Sequence, residues 1–481
     1  MKRSKFVELW SDALEKGSAS VFIGAGLSRP AGYPDWRTLL KDIAETLGLD
    51  IDNEHDLAAV AQYSINRAAG KRHDLSRLIA KSFPPKDEAP EPFRVLARLP
   101  LQHVWTTNYD TLPETAWRQE RKLMDVKSGN TDLGIDKPWA HTILYKMHGT
   151  ADHPNDVVIA TDDYELYRAS RPGFVQVLGG HLVSKQFLFV GFSFTDANIA
   201  HLFGNIRENF REAGPEHYAI VRKPQLRGKG VASKARFKTD VIRHDLWVED
   251  LGRYGIRCVE IDEFTEIDAI LREVETRLAR RSVLVSGSYP EHWEGEDVSS
   301  RLRIEALSRS IGGLISERGK RLVSGFGLTV GSATMSGALS QILKELTPNL
   351  DKSLLLRPFP QEAPDGLDAT AFKARYREGL VGQAGIMVVI GGQKRDPENG
   401  ALIAADGVME EYQAAKGMNR PIIPVGATGG AAAEIWKTEH ATFDKNWPKA
   451  LKSDFELLND GTASVNDLTA AVERLLVHLD R

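Results

Sequence analysis

The chain of 481 residues contains a single cysteine, Cys258, and this scarcity excludes several kinds of site. One cysteine can form neither a disulfide within the chain nor a structural zinc site of four cysteines. The composition suits a reducing compartment, and we expect a cytoplasmic protein. No uncharged apolar stretch reaches the roughly 18 residues of a membrane helix, so we expect no membrane association. The first residues, MKRSKFVELWSDALEK, mix apolar and charged positions, which predicts an amphipathic helix and not a signal peptide.

The chain also lacks a dense stripe of positive charge, and its formal net charge is −4. Sequence-independent binding to nucleic acid depends on clustered lysine and arginine side chains, so we expect no nucleic-acid partner. The most basic run, Arg222 to Lys238, is typical of a solvated loop. Hydrophobic residues make up 42% of the chain, which is ordinary for a globular protein, and the length allows at least two large domains.

Short apolar runs that end in glycine or another small or polar residue recur along the whole chain. They are Ser20–Ser28, His103–Asp110, Ile143–Gly149, Gln186–Phe194, Ser282–Ser288, Arg321–Gly327, Ser353–Pro360, Gly385–Gly392 and Arg420–Gly430. Buried parallel strands have continuous apolar runs, and their ligand sites lie at the strand C-termini. The pattern predicts an α/β fold of two successive Rossmann-like domains with mostly parallel sheets. A helical segment ends in a basic cluster near Arg281, so we place the domains at residues 1–281 and 282–481.

Four segments of the first domain carry polar residues at strand ends. GAGLSRPAGYPDWR (Gly24–Arg37) is followed in order by TTNYD (Thr106–Asp110), MHG (Met147–Gly149) and VGFSF (Val190–Phe194). One glycine-rich turn alone would be a weak signal, because many α/β proteins use such a turn for packing. In this order the four segments resemble the sirtuin signature. The resemblance implies a glycine turn around the pyrophosphate of NAD, TTNYD on the nicotinamide side, a catalytic histidine in MHG, and the adenosine ribose near VGFSF.

The same resemblance implies a catalytic pair, Asn108 and His148, and a set of residues that bind NAD. The NAD-binding residues are Gly24, Ala25, Gly26, Ser28, Asp35, Arg37, Asp110, Gly191 and Ser193. Nicotinamide in NAD+ is a cationic leaving group that needs no general acid. Asn108 could therefore orient a water with its amide oxygen, and His148 could accept a proton from that water or from a ribose hydroxyl. Asp110 could hold the nicotinamide carboxamide, while Ser28 and Ser193 suit ribose or phosphate better than nucleophilic attack.

Two other roles stay open for the catalytic pair. Asn108 could cap the helix that follows its strand, which is a common role for asparagine, and His148 could be structural. The reaction class also departs from that of protein-deacylating sirtuins, whose small zinc module needs two CxxC pairs. We therefore expect water as the acceptor, NAD+ as the substrate, nicotinamide and ADP-ribose as products, and neither a cofactor nor zinc. The alternatives are an NAD-dependent protein deacylase and a nucleotide-binding assembly protein with an inactive site.

The second domain opens with two glycine-rich strand ends, VSGS (Val285–Ser288) and SGFGLTVGS (Ser324–Ser332). Its later segments VVIGGQK and GVMEEYQAA resemble the paired-glycine and glycine-x-x-x-glutamate elements of the SLOG superfamily of nucleotide binders. The resemblance implies a signal-nucleotide site made of Ser286, Gly287, Ser288, Gly325, Phe326, Gly327, Arg357, Arg375 and Glu411. Arg357 suits bidentate phosphate binding, Arg375 or Arg377 could supply a second cation, and Glu411 would bind ribose hydroxyls.

Two positions of this domain depart from the superfamily pattern. Ile390 stands where a proline usually precedes the glycine pair, and Val408 stands where a threonine is usual. These departures favour a nucleotide sensor over a second active site. A doubly wound domain whose glycines serve only packing is the alternative.

The order of the two domains resembles the sirtuin-like/SLOG NAD-hydrolase effectors of bacterial Thoeris anti-phage defence. RLPLQHVWTTNYD, YKMHG, LVSKQFLFVGFSFTD, VSGFGLTVGS, LRPFPQ and PVGATGG carry this resemblance. It implies a partner TIR-domain protein that makes a cyclic ADP-ribose isomer, with the 3′ isomer (3'cADPR) as the expected signal. That nucleotide would bind the second domain and switch on NAD+ hydrolysis in the first. The resemblance also implies a homotetramer that forms higher assemblies, such as a filament, on activation.

Overall fold

A computed structural model describes residues 1–194, 203–204, 214–226, 228, 231–291, 296–346, 348–360 and 362–480. These residues divide into two compact units, Met1–Glu275 and Thr276–Arg481. Each unit contains a sheet of parallel strands connected through helices. The fold class is therefore the expected one, α/β with mostly parallel sheets.

The first unit has a parallel sheet whose strand ends carry the polar segments of the sequence. Its described strands are β1 (Ala19–Ile23), β2 (His103–Thr106), β3 (Met124–Lys127), β4 (Thr142–Lys146), β5 (Gln186–Val190), β6 (His217–Arg222) and β7 (Ile256–Ile261). They are ordered β3-β4-β2-β1-β5-β6-β7, and every neighbouring pair is parallel. The carboxyl ends of parallel strands lie at one edge of the sheet, so the segments that follow β1, β2, β4 and β5 meet there.

Helices connect these strands. In the described part of the unit they are α1 (Arg3–Glu15), α2 (Ala25–Ser28), α3 (Trp36–Leu47), α4 (Leu57–Arg67), α5 (His73–Ser82), α6 (Glu91–Arg98), α7 (Leu112–Gln119), α8 (Asn130–Leu133), α9 (Thr161–Glu165), α10 (Tyr167–Ser170), α11 (Pro172–Ser184), α12 (Val231–Gly252) and α13 (Glu266–Ala279), with a 3-10 turn at Arg29–Ala31. The expected amphipathic helix is α1, which buries Phe6, Trp10 and Leu14 at a spacing of four residues. The expectation of a basic loop is wrong from Val231 onward, where α12 begins.

The core of the first unit explains the continuous apolar runs. Every residue of β1 is buried, and the buried cluster that contains Phe22 also contains Trp105 of β2 and Phe189 of β5. A central strand of this kind has apolar side chains on both faces because both faces are covered. Within the described residues, no helix is both long enough and apolar enough to cross a membrane.

The second unit has its own parallel sheet. The described strands of the unit are β8 (Ser282–Ser288), β9 (Arg321–Ser324), β10 (Leu354–Leu356), β11 (Ile386–Gly391), β12 (Gln393–Arg395), β13 (Leu402–Ala404) and β14 (Ile422–Val425). The main sheet is ordered β10-β9-β8-β11-β14 and is parallel throughout, whereas β12 and β13 form a separate antiparallel pair. The segments that follow β8, β9, β10 and β11 therefore lie at one edge of the main sheet.

Close helix packing supports that second sheet. The described helices are α14 (Val298–Glu317), α15 (Val330–Ile342), α16 (Leu350–Ser353), α17 (Ala369–Val381), α18 (Asp406–Gly417), α19 (Gly430–Ala441), α20 (Phe443–Asn446), α21 (Lys452–Leu457) and α22 (Val465–Leu479), with 3-10 turns at Gly426–Thr428 and Lys449–Leu451. A Cβ added at Gly337 of α15 would lie 1.8 Å from the carbonyl oxygen of Arg309 in α14. This glycine is therefore needed for the backbones of the two helices to touch.

Candidate active site and candidate nucleotide site

The glycine turn after β1 packs directly against the turn after β5. The Gly24 N–H donates to the Val190 carbonyl oxygen at 2.9 Å, and the Gly26 N–H donates to the Gly191 carbonyl oxygen at 2.9 Å. A Cβ at Gly24 would lie 2.3 Å from that Gly191 oxygen, and Gly191 itself has a φ of +65°. The structure thus brings three predicted NAD-binding glycines together. The N–H groups of Gly24 and Gly26 are used in this contact, and a Cβ at either residue would meet the Gly191 backbone, so both glycines serve the packing of the two turns.

A buried hydrogen-bond chain joins the turn after β1 to the end of β2. The Ser28 hydroxyl donates to Asp110 Oδ2 at 2.8 Å, and Asn108 Nδ2 donates to Ser28 Oγ at 3.0 Å. Because Ser28 gives its one proton to the carboxylate, its oxygen can only accept from Asn108. The amide nitrogen of Asn108 therefore faces Ser28, and its amide oxygen faces the opposite direction. Ser28, Asn108 and Asp110 are all less than 10% exposed, which holds this arrangement away from bulk water.

The contacts near this chain test the helix-capping role considered for Asn108. Helix α7 has Thr111 as its N-cap residue without a side-chain cap, and the Leu112 N–H bonds to Asp110 Oδ1 at 3.1 Å. Asn108 lies three residues before this N-cap position, so it is not placed to accept from the first N–H groups of the helix with its amide oxygen. The capping role for Asn108 is therefore wrong. The Ser28 hydroxyl and the Asp110 carboxylate are hydrogen-bonded to each other, whereas the sequence predicted contacts from both to NAD.

His148 lies beside Asn108 at the carboxyl edge of the sheet. Thr106 of β2 and Lys146 of β4 are register partners, and Asn108 and His148 each lie two residues beyond them. His148 is 2% exposed. Its ring meets Tyr164 edge-on, with 5.5 Å between the ring centroids. The strand pairing thus brings together the two residues that the sequence predicts as the catalytic pair.

The remaining predicted NAD-binding residues have other contacts. Asp35 caps α3 by accepting from the Thr38 N–H at 2.8 Å. Burial alone would raise the pKa of Asp35, but the hydrogen bonds from Thr38 and the charges of Arg29 and Arg37 lower it below its ordinary value. Arg37 donates to the carbonyl oxygens of Ile51 and Glu54. Both side chains therefore stabilise the loop and helix that follow the glycine turn.

Two more predicted residues lie in the turns themselves. Ala25 is the first residue of α2, directly after Gly24, and its side chain is exposed. Ser193 is exposed in the turn after β5 and lies two residues beyond Gly191. The structure therefore places both at the edge of the sheet where the four segments meet.

A buried lysine that the sequence patterns did not single out lies two residues before His148. Lys146, the last residue of β4, is 0% exposed, and its Nζ donates to the Asp110 carbonyl oxygen at 2.6 Å and to Glu114 Oε1 at 3.0 Å. Burial raises the pKa of both Asp110 and Glu114, and the charge of Lys146 opposes that rise. A signal was present in the sequence, because YKMHG places a charged residue inside an apolar strand.

A polar cavity of about 570 Å³ lies on the β3 side of His148. Its lining includes Gly149, Thr150, Ser128 and Asp132, and an adjoining cavity of about 490 Å³ shares the last three of these. Thr150 is 6% exposed, and its hydroxyl has no hydrogen-bond partner among the described residues. A space lined by hydroxyls and carboxylates next to the histidine suits water, which is the acceptor that the sequence predicts.

In the second unit, the strand ends bring Glu411 to Ser286. The Ser286 hydroxyl donates to Glu411 Oε2 at 2.6 Å, and the Ser288 hydroxyl donates to the Gln393 carbonyl oxygen at 3.0 Å. Burial raises the pKa of the Glu411 carboxyl, while the hydrogen bond from Ser286 and the charge of Arg377 oppose the rise. The predicted nucleotide residues on β8 and α18 are therefore neighbours.

The predicted glycines of this site allow close backbone contact. A Cβ at Gly287 would lie 1.9 Å from the Ile390 oxygen, and a Cβ at Gly327 would lie 2.1 Å from the Gly287 oxygen. A Cβ at Gly325 would lie 2.9 Å from a methyl carbon of Leu380. Phe326 has a φ of +60°, and its N–H bonds to Ser324 Oγ at 3.1 Å. These glycines serve packing at the strand ends, and the turn after β9 is held in a conformation that side chains rarely adopt.

The structure distinguishes the surroundings of the two arginines considered for this site. Arg375 is exposed on α17, whereas Arg377 of the same helix forms an ion pair with Glu410 and stacks over the ring of Phe359 at 4.2 Å. Arg377 also interacts electrostatically with Glu411. Since residues two apart on a helix point in very different directions, only one of the two arginines can face the site. Arg377 is the one that interacts with Glu411, and the assignment of Arg375 stays a prediction.

Arg357 follows β10 at the same edge of the sheet. Its N–H bonds to the Ser324 carbonyl oxygen at 2.9 Å, and its guanidinium donates to the Gly379 carbonyl oxygen at 3.5 Å. The second bond is long, so the guanidinium keeps donors for an anion. Among the described residues, no three histidine, cysteine, aspartate or glutamate side chains gather as metal ligands would.

Comparisons with known protein families match both units. Residues 102–242 match the SIR2-like domain, and residues 266–479 match the Sir2- and TIR-associating SLOG family. A solved structure of a Sir2 enzyme covers 56% of this chain and 96% of its own at 13% identity, and its TM-score of 0.29 is too low to support a conclusion.

Two curated relatives match nearly the full length. The NAD(+) hydrolase ThsA of Bacillus cereus (strain MSX-D12) is 35% identical over 478 residues, which cover 97% of each chain. The NAD(+) hydrolase ThsA of Enterococcus faecium is 36% identical over 465 residues, which cover 95% of each chain. The likeness therefore extends over both units.

Proposed function

The chain belongs to the ThsA family of NAD(+) hydrolases, and from this premise we propose that it cleaves NAD+ with water to give nicotinamide and ADP-ribose. The observation that carries the proposal is the hydrogen-bond chain from Asn108 through Ser28 to Asp110, next to His148. The glycine turns after β1 and β5 pack together beside this chain, at the edge of the sheet where the resemblance places the dinucleotide. NAD+ is the substrate in this proposal, and neither a cofactor nor zinc takes part.

The bond that breaks joins C1′ of the ribose to the nicotinamide nitrogen. Its electron pair moves to the nitrogen, which becomes neutral, so the leaving group needs no proton. The protein must then hold a nucleophile against the electron-deficient C1′. The amide oxygen of Asn108 accepts a hydrogen bond from water and directs the water oxygen toward that carbon.

The new bond forms between the water oxygen and C1′, and the water must lose a proton. His148 accepts this proton, because a neutral imidazole is a base near neutral pH. Tyr164 packs edge-on against the His148 ring and fixes the orientation of the imidazole. The polar cavity beside Gly149 and Thr150 supplies the water.

We propose that the second unit is the sensor that controls this reaction. The signal is a cyclic ADP-ribose isomer, 3'cADPR, made by a TIR-domain partner during phage infection, and the response is depletion of cellular NAD+. The match to a Sir2- and TIR-associating SLOG family supports this role. Arg357 and Arg377 bind the phosphates, and Ser286 and Glu411 bind ribose hydroxyls.

Control of this kind requires the signal to bind the active and inactive states with different affinity. A hundredfold preference contributes roughly 2.7 kcal/mol, which inverts a modest equilibrium. The proposed active form is a homo-oligomer, a tetramer that assembles into filaments. These assignments rest on membership of the family.

The deciding experiment measures nicotinamide release from NAD+ by the purified full-length chain. Three parallel reactions contain NAD+ with no added cyclic nucleotide, with 3'cADPR, or with the isomeric 2′ cyclic compound. Chromatography quantifies nicotinamide and ADP-ribose. We expect the two products in equal amounts and a strong dependence on 3'cADPR. Absence of nicotinamide release with every cyclic isomer, together with calorimetric binding of NAD+, would instead indicate an inactive binding protein.

A further inference from the structure

The complete burial of Lys146 is unusual for a lysine side chain. Lysine is almost never fully buried, because removing an ammonium group from water costs far more free energy than one ion pair returns. Here the side chain is 0% exposed at the end of β4. Its Nζ reaches the carbonyl oxygens of Asp110 at 2.6 Å and Tyr109 at 3.4 Å and the Glu114 carboxylate at 3.0 Å.

These contacts connect the two segments that carry the catalytic pair. Asp110 and Tyr109 directly follow Asn108, and Lys146 itself lies two residues before His148. One ammonium group therefore holds the loop after β2 to the strand that leads to the histidine. Buried ion pairs are weak contributors to stability, so an apolar pair in place of both Lys146 and Glu114 would serve equally well if stability were the only requirement.

We propose that Lys146 is a positioning residue for NAD+ cleavage: it fixes the Asn108–Asp110 loop through main-chain carbonyls and places a positive charge beneath the Asp110 carboxylate. This inference rests on the hydrolase function proposed above and extends it to a residue that does not touch the substrate. Its effect passes through Asp110 to Ser28, and from Ser28 to Asn108.

The charge of Lys146 favours one direction of that hydrogen-bond chain, because it opposes the rise in the pKa of Asp110 that burial causes. An ionised Asp110 only accepts, so Ser28 must donate to it and the Asn108 amide nitrogen must face Ser28. Without the nearby ammonium, burial favours the protonated carboxyl, which can donate to Ser28. The chain can then reverse, and the Asn108 amide can turn its NH₂ group, instead of its oxygen, toward the water. The protein would still bind NAD+ but would hold the nucleophile wrongly.

A matched control lies on the neighbouring strand. Lys127 of β3 is 5% exposed, pairs with Asp125 Oδ2 at 2.7 Å, and donates to a main-chain carbonyl, that of Ile135. Lys127 is nearly as buried as Lys146 and also has an acidic side chain and a main-chain carbonyl as partners. Its partners lie outside the Asn108–Asp110 loop. Lys146→Met and Lys127→Met therefore remove equivalent groups, and only the first removes the proposed positioning contact.

The test compares kcat, KM for NAD+, and the thermal unfolding midpoint of both variants with 3'cADPR present at saturation. We expect both variants to unfold at lower temperature. Lys146→Met should lose about 100-fold in kcat with KM changed less than about threefold, since misplacing a reacting group costs of this order. Lys127→Met should keep kcat within about twofold of the wild-type value.

A double variant separates positioning from folding. Glu114→Gln added to Lys146→Met removes the carboxylate that would otherwise be buried with its ion-pair partner missing, so thermal stability should recover in part. The proposal expects kcat to stay low in this double variant. Recovery of kcat together with stability would overturn it, and so would wild-type kcat in Lys146→Met.

A readout without turnover keeps the inference separate from the proposed hydrolase function. Hydrogen–deuterium exchange of the peptide that contains residues 106–112 should be faster in the double variant than in the wild type, and unchanged in Lys127→Met. If the wild type releases no nicotinamide under any condition, the function proposal fails while this exchange result still tests the positioning role. Unchanged exchange in the double variant would refute the role of Lys146.

Discussion

Asn108 and Ser28, 80 residues apart in the chain, share a hydrogen bond of 3.0 Å from the asparagine amide nitrogen to the serine oxygen. The bond ties the turn after β1 to the loop after β2. It also fixes which end of the amide is free to meet a ligand. A catalytic asparagine whose amide could rotate by 180° would present its oxygen to water only part of the time. We therefore expect Ser28 to act on the proposed reaction through Asn108.

Replacement of Ser28 by alanine tests this role directly. The Asn108 amide loses its anchor, and we expect kcat to fall by about 10- to 100-fold with KM for NAD+ changed little. Steady-state kinetics of nicotinamide release with 3'cADPR present provide the measurement. Ser20→Ala is the control, because Ser20 is also buried and bonds to the His103 carbonyl oxygen away from the site. A rise in KM at constant kcat would instead identify Ser28 as a ligand of NAD+.

The catalytic pair makes a separate prediction. Asn108→Ala removes the water-orienting oxygen, and His148→Ala removes the base, so each should lower kcat by at least about 100-fold. Calorimetry with ADP-ribose should show that both variants still bind the product. Wild-type turnover in both variants would show that the chemistry is performed elsewhere.

Two arginines of α17 give a paired test of the nucleotide site. We expect Arg377→Ala to raise the 3'cADPR concentration for half-maximal activation by about tenfold or more, because a charge-assisted bond to phosphate is lost. Arg375→Ala serves as the control and should leave the activation curve unchanged, since its side chain is exposed. Weakened activation in Arg375→Ala, with an unchanged activation curve in Arg377→Ala, would instead support the assignment of Arg375 to the site. Arg357→Ala should also weaken activation, and unchanged activation would remove it from the site.

The pH dependence of stability follows from a buried histidine of β6. Burial lowers the pKa of His217 to about 4, and the Phe187 N–H donates to its Nδ1 at 3.2 Å. The folded protein therefore keeps His217 neutral, whereas the unfolded chain binds a proton below about pH 6.5. The unfolded state gains protons first, so stability falls as pH decreases from about 6.5 to 4.

His217→Gln should reduce this loss, by up to roughly 1.4 kcal/mol for each pH unit in that window. Urea unfolding of the full chain at pH 6.5, 5.5 and 4.5 gives the slope. His55→Gln, at an exposed position, is the control and should keep the wild-type slope. His103 and His181 also have pKa values lowered to about 4 by burial, so part of the acid sensitivity remains. An unchanged slope for His217→Gln would contradict the prediction.

Much of the fold could be predicted because buried parallel strands have a strong sequence pattern. Each of the nine apolar runs contains a strand, and the polar segments lie at the strand ends as expected. Strand β7 was missed because Arg257 and Glu260 are exposed within it, which breaks the continuous apolar pattern. Strand β3 was missed for a similar reason, since Asp125 and Lys127 are charged and yet buried as a pair.

The sequence predicts which residues belong to the candidate sites better than it predicts which of those residues contact one another. A sequence places Ser28, Asn108 and Asp110 near one edge, but it does not reveal that they bond to one another, because those bonds depend on side-chain rotation. The choice between Arg375 and Arg377 depends on the rotational phase of α17, which its weak apolar pattern leaves undetermined. Lys146 was overlooked because two of its partners are main-chain carbonyls, which every residue possesses, and the third, Glu114, is 32 residues away in the sequence.

The contact between the Gly24 turn and the Gly191 turn also has a consequence during protein synthesis. The second turn is translated after the segments that carry Asn108 and His148, so a growing chain contains both residues before the Gly24 turn has its packing partner. A ribosome-bound chain that stops short of β5 therefore lacks the two hydrogen bonds that hold the Gly24 turn in place.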